Sequence, residues 1–186
     1  MADLAAKRSR LILNDRQLVE ICLPVMLLAM ALHDRKRNAE TPAEDKILIE
    51  RLSHNVHTCM DDWLLGLSLQ EQHKILERIK KVAVELYKGI RTSRAGPLVL
   101  MIRLAQLMLD DKTWYFEPDG RFERVYRDVV DSYFDTPERE AEIEEVWPRV
   151  CEVAPILYQK LKDQGLYRTE SKGRVLLAAD AMGAVP

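Results

Sequence analysis

The sequence predicts an all-α fold, an irregular bundle of about six helices with a central antiparallel helical hairpin. Good helix formers such as Leu, Ala, Glu, Lys and Arg are abundant, whereas the 186 residues include only 7 glycines. Apolar residues recur at spacings of three and four along most of the chain, which is the period of an amphipathic helix. Signals for helix starts separate these stretches.

The first predicted helix spans residues 14–37. Asn14 can cap it, and Gln17 stands three residues later, as in a capping box. From Leu18 to Leu32 apolar residues surround the helix, so we expect it to lie at the centre of the fold. This run is shorter than the roughly 20 residues that a membrane span needs. An acid and a proline interrupt it, so we also do not expect a cleaved signal peptide.

Two amphipathic helices joined by a short turn form the predicted hairpin, residues 42–94. Thr41-Pro42-Ala43-Glu44 has the pattern of a capping box, and a second box, Ser68-Leu69-Gln70-Glu71, follows Gly66. Apolar residues after each box keep a heptad-like spacing, which is typical of helices that pair. These residues are Ile49, Leu52, Val56, Cys59 and Trp63 in the first helix, and Ile75, Ile79, Val82, Leu86 and Ile90 in the second. The spacing fits pairing within one chain and also pairing between two copies, as in a homo-oligomer.

Three further helices are predicted after the hairpin. Residues 98–109 are apolar on nearly every side and should be buried. A Pro-Asp-Gly turn signal precedes a stripe of full helical period at residues 122–134. The last helix opens at Thr136-Pro137, and Pro148 and Pro155 are expected to kink or divide it.

Length and composition indicate the organisation of the chain and its compartment. Residues 1–165 are expected to form a single helical domain, whereas 166–186 show no sustained period and should form a loosely ordered tail. The net charge of −2 is not that of a generic polyanion binder. Three widely separated cysteines without a CxxC motif favour a reducing compartment, so we expect a cytoplasmic protein.

No catalytic motif is evident in the sequence. Neither a glycine-rich phosphate loop nor GxGxxG occurs, and GxSxG is also absent. We therefore expect a protein that is not an enzyme and has no cofactor.

A polar stripe on the second helix is the strongest candidate for a metal site. His54, His57 and Asp61 lie at i, i+3 and i+7, so they share one side of the helix, away from Cys59. Two histidines with a carboxylate one turn away could hold zinc or another divalent ion. Since neither HExxH nor the ExxH pairs of di-iron bundles is present, a metal-dependent enzyme is the second alternative, and no metal ligand is assigned.

Basic residues in two segments make a nucleic-acid-associated regulator the first alternative. Their side chains would contact phosphates, and they are Lys7, Arg8 and Arg10 near the start and Lys88, Arg91 and Arg94 in a segment without acids. The apolar helix at 98–109 offers too few polar groups to read bases in a major groove.

Adjacent aromatic residues favour protein binding as the main hypothesis. Trp114, Tyr115 and Phe116 stand beside the predicted turn, and exposed aromatic side chains are common anchors of interfaces. Alternatively, they close one end of the bundle. We expect a non-enzymatic protein that acts by macromolecular binding, as an adaptor, regulator or inhibitor of a larger assembly, with another protein as its partner.

Overall fold

The computed structural model describes residues 15–91, 96–111, 114 and 120–163, and the described part of the chain holds six helices and no strand. The predicted all-α fold is therefore confirmed. In chain order the helices are α1 (Asp15–Arg37), α2 (Ala43–Leu64), α3 (Leu69–Arg91), α4 (Pro97–Asp110), α5 (Arg121–Tyr133) and α6 (Pro137–Asp163). Asn14, the predicted cap of α1, and the predicted tail at 166–186 lie outside the described residues.

Helix α1, rather than a hairpin, occupies the centre of the bundle. It packs against α2, α3 and α4, whereas α2 and α3 make almost no contact with each other. The turn predicted between α2 and α3 is present at residues 65–68. The physical reason for the difference is that α1 is apolar all round, so both neighbouring helices bury their stripes against it. Helix α5 contacts α2 and α4, and α6 packs along α4.

Charged side chains join four helices at one end of the bundle. The Arg35 guanidinium donates through Nε to the Tyr133 hydroxyl at 2.6 Å and through Nη2 to Glu142 at 2.9 Å. Arg139 forms an ion pair with Asp45. These contacts tie α1 to α5 and α6, and α6 to α2.

The predicted capping box at the start of α2 is not formed. Pro42 occupies the cap position without a side-chain hydrogen bond. Thr41 is 6% exposed, and its hydroxyl donates instead to the Arg35 carbonyl at 2.8 Å. Carbonyls at the end of a helix lack part of the regular helical bonding. The Arg35 carbonyl accepts from the Asn38 N–H at 3.2 Å and takes the Thr41 hydroxyl as a second donor.

Helix α6 runs from Pro137 to Asp163 without being divided at its internal prolines. Pro148 and Pro155 are both exposed. A helical proline frees the carbonyl four residues earlier, and on an exposed side water can satisfy that carbonyl. Of the two outcomes predicted for these prolines, a kink or a division of the helix, the division does not occur.

By length and composition, α1 meets the criteria for a membrane-spanning helix. The most apolar stretch of Gln17–Arg37 has a mean hydropathy of 1.5, and 72% of it is buried inside the bundle. The neighbouring helices cover this stretch, as they cover the core helix of a soluble protein.

Candidate binding sites

Among the predicted aromatic anchors, Trp114 is buried, with 5% of its surface exposed. Its Nε1 donates to the Tyr158 hydroxyl at 2.7 Å, and that hydroxyl donates in turn to Asp111. Lys162 donates to the same carboxylate at 2.7 Å. Trp114 thus closes the end of the α4–α6 pair, which is the alternative that the sequence left open for it. Tyr115 and Phe116 lie outside the described residues.

Of the predicted basic residues, Lys88 on α3 is the one whose side chain the structure describes. Lys88 is exposed, and its Nζ lies 2.7 Å from a carboxylate oxygen of Glu85. Lys80 is similarly paired with Glu77. The exposed side of α3 therefore alternates in sign. Lys7, Arg8, Arg10 and Arg94, together with the side chain of Arg91, lie outside the described residues.

The polar stripe on α2 does not assemble into a metal centre of the kind predicted. His54, His57 and Asp61 are all exposed. Among the described residues, no group of three or more His, Cys, Asp or Glu side chains is arranged to hold a metal ion. The structure instead places His57 beside α1, in a groove described below.

The turn between α2 and α3 exposes leucines and is the first candidate binding site. Leu65 is 66% exposed and Leu69 is 83% exposed, while Leu67 between them is half-buried. We call residues 64–69 the leucine turn. Turns are usually polar, so two mostly exposed leucines this close together make the turn a candidate binding site.

Hydrogen bonds brace the leucine turn from both of its ends. The predicted capping box is confirmed: Glu71 accepts from the Ser68 backbone N–H at 2.9 Å and from its hydroxyl at 2.6 Å. In return, the Glu71 N–H donates to Ser68 Oγ at 3.3 Å. The side-chain amide of Gln72 donates to the carbonyls of Leu64 and Leu67, each at 3.0 Å. These bonds connect the backbone on both sides of the exposed leucines.

The capping box also changes the pKa of the Glu71 carboxyl. The hydrogen bond from the Ser68 hydroxyl, followed by that from the Ser68 N–H, lowers the pKa of Glu71 below its ordinary value. Both bonds stabilise the ionised carboxylate, which accepts but cannot donate. The box is therefore complete in the ionised state.

A groove along α1 is the second candidate site. It has a volume of about 290 Å³ and lies where α2 and α3 leave α1 uncovered. We call it the α1 groove and define it by the residues that line it, namely Met26, Ala29, Met30, His33, Asp34, His57 and Tyr87. The Tyr87 hydroxyl donates to Asp34 at 3.1 Å, which fixes the wall of the groove on the α3 side.

Sequence reasoning missed both sites. The leucine turn left a visible signal, since leucines stand at 64, 65, 67 and 69 around a turn glycine. The α1 groove left no signal in the sequence, because it forms between α2 and α3 where they pack apart on α1.

No protein-family model matches the sequence, and comparisons with curated proteins and with solved structures find no match.

Proposed function

We propose that the protein acts by binding another protein through the leucine turn, as an adaptor, regulator or inhibitor of a larger assembly. The observation that carries this proposal is the exposure of Leu65 and Leu69 at a turn braced by hydrogen bonds. Covering two such side chains would remove apolar area from water, which is the main driving force of association.

The rigidity of the turn supports the same proposal. A partner that binds a flexible loop must compensate for the lost conformational freedom of that loop, and a preorganised surface lowers this cost. The Ser68–Glu71 box and the Gln72 amide already fix the backbone on both sides of Leu67. An apolar knob held in this way is suited to a matching pocket on a partner.

The thiols support a cytoplasmic setting for this activity. None of the three cysteines forms a disulfide; Cys22 and Cys59 are buried and Cys151 is exposed. An exposed free thiol fits a reducing compartment, where disulfides are rare.

The test compares capture of partners by the wild-type protein and by a double variant, Leu65→Asp with Leu69→Asp. Tagged protein is incubated with nuclease-treated lysate of the native host, and the bound proteins are quantified by mass spectrometry. We expect a protein that the wild type retains and that the variant loses. A photo-crosslinking residue at position 69 should form a covalent adduct with that same protein.

The matched control is Ile47→Asp, which changes a 72% exposed apolar side chain of α2 outside the turn. This variant should retain the partner. Equal loss in both variants, or a partner that the double variant still captures, would contradict a role for the turn. Capture that disappears with nuclease would instead favour the nucleic-acid alternative.

A further inference from the structure

Two methionines of the apolar stretch of α1 are partly exposed. From Leu18 to Leu32 every residue is buried except Met26 and Met30, which are half-buried. Both line the α1 groove. Sulfur-containing side chains are therefore the part of this apolar segment that reaches the surface.

Two histidines complete the lining of the same groove. His33 follows Met26 and Met30 on one side of α1, at spacings i, i+4 and i+7. His57 enters the groove from α2, and both imidazoles are exposed. Two methionines and two histidines thus line one groove of about 290 Å³.

The chemistry of this donor set selects one kind of metal ion. Thioethers are soft ligands that favour Cu(I), whereas imidazole binds zinc, copper, iron and nickel, so copper is the ion that both donor types favour. All four donors are uncharged when they ligate, which suits a monovalent ion. Asp34 places a carboxylate in the same groove, where it can offset the charge of the ion.

We propose that the α1 groove binds one Cu(I) ion through the sulfurs of Met26 and Met30 and the imidazoles of His33 and His57. This site is independent of the leucine turn and of the proposed partner. It also differs from the stripe predicted from sequence, because His57 acts with residues of α1 and not with its neighbour His54.

The test is a competition for Cu(I) under anaerobic, reducing conditions. The protein carries Cys151→Ser, because an exposed thiol would itself bind the ion. Bicinchoninate, a coloured Cu(I) chelator, reports how much metal the protein withdraws. We expect one equivalent to be withdrawn. In this background Met30→Leu and His57→Gln should each weaken Cu(I) binding by about tenfold or more. Mutations of residues that support metal ligands already lower metal affinity by about tenfold.

Each variant has a matched control. Met108→Leu removes a buried thioether from α4, and His54→Gln removes an exposed imidazole one turn from His57. Both controls should bind Cu(I) as the parent does. Met→Leu conserves volume, and both histidines are exposed, so the variants should stay folded, which thermal unfolding checks. The Leu65→Asp, Leu69→Asp protein should also bind Cu(I) normally, which separates this proposal from the proposed function.

A second measurement uses Ag(I), a redox-inert substitute for Cu(I), with protein labelled at the methionine methyl groups. The NMR signals of Met26 and Met30 should shift, while those of Met101 and Met108 should not. The proposal is wrong if the Cys151→Ser protein withdraws no Cu(I), if Met30→Leu and His57→Gln bind as tightly as the parent, or if His54→Gln weakens binding as much as His57→Gln does.

Discussion

The guanidinium of Arg139 lies over the ring of Tyr133, with 4.4 Å between its central carbon and the ring centroid. Its Nη1 also donates to the Tyr133 carbonyl at 2.6 Å, and its Nη2 is paired with Asp45. One side chain in the first turn of α6 thus contacts the end of α5 and the start of α2. Since α6 otherwise packs mainly along α4, this contact helps to fix its position.

Replacing Arg139 with Ala should lower the free energy of unfolding by about 3 kcal/mol, since removing one partner of a largely buried ion pair leaves the other uncompensated. The Arg139 side chain is 11% exposed and that of Asp45 is 21% exposed. Urea unfolding followed by circular dichroism measures the change. Arg127→Ala is the control, because its pair with Glu123 is exposed and should contribute less than about 1 kcal/mol. Equal losses in the two variants would show that Arg139 does not join the helices.

Removing the Ser68 hydroxyl should return the pKa of Glu71 toward its ordinary value. Ser68→Ala deletes the hydrogen bond that contributes most to the lowered pKa and leaves the weaker contribution from the backbone N–H. Because the pKa is lowered in the folded state, this contribution to stability is present at neutral pH and is lost as pH falls through the folded pKa. A carbon-detected NMR titration of the Glu71 carboxyl measures the shift. Thr58→Ala, which removes a hydroxyl bonded to a carbonyl, should leave Glu71 unchanged.

Alkaline pH should destabilise the protein through Tyr126. Burial raises the pKa of this phenol from 10.0 to about 12, with Asp110 also raising it and Arg103 opposing. The folded state therefore holds this proton more tightly than the unfolded state. Its contribution to stability is complete below the unfolded pKa and is lost as pH rises toward the folded value.

Tyr126→Phe should weaken this loss. The free energy of unfolding of each protein is compared at about pH 9 and about pH 11, the two sides of the ordinary tyrosine pKa. The wild type should lose more stability between these conditions than the variant. Absorbance of tyrosinate should show the wild-type protein titrating one additional group late in the range. Identical losses in both proteins would rule out Tyr126 as a source of alkaline instability.

Replacing Pro155 with Ala should stabilise the protein. The expected gain is up to about 3 kcal/mol, because an interior helical proline costs about 3 kcal/mol relative to alanine. Thermal unfolding of the two proteins measures the gain. Pro137→Ala is the control, since proline at the first position of a helix removes no helical hydrogen bond. A lower stability for Pro155→Ala would mean that α6 depends on the proline, and an unchanged stability would mean that the proline does not destabilise this helix.

Local patterns were enough to predict the helices, and tertiary packing explains what they left out. The Ser68–Glu71 box formed as predicted, because its partners are three residues apart and lie in one turn. Thr41 had the same local pattern, yet its hydroxyl bonds to a carbonyl of α1. Spacing along a chain does not show which neighbouring element will compete for a hydroxyl.

The sites depended on packing even more strongly. The stripe that contains His54 and His57 was correctly placed on one helix, but only the arrangement on α1 brings His57 to Met26 and Met30. In the same way, periodicity showed that α2 and α3 are amphipathic without showing that α1 lies against both. The leucine turn could have been noticed from the sequence alone, whereas its exposure could not.

The central position of α1 has a consequence for synthesis on the ribosome. This helix is made first among the six, yet α4, the last of the three helices that bury its apolar surface, ends at Asp110. At the usual 5–20 residues per second, the 73 residues between the two helix ends take roughly 4–15 s to translate. During that interval an apolar segment with the hydropathy of a membrane span has an incomplete set of neighbours. The nascent chain should therefore depend on chaperones, and an early stop before α4 should yield an insoluble product rather than a smaller folded one.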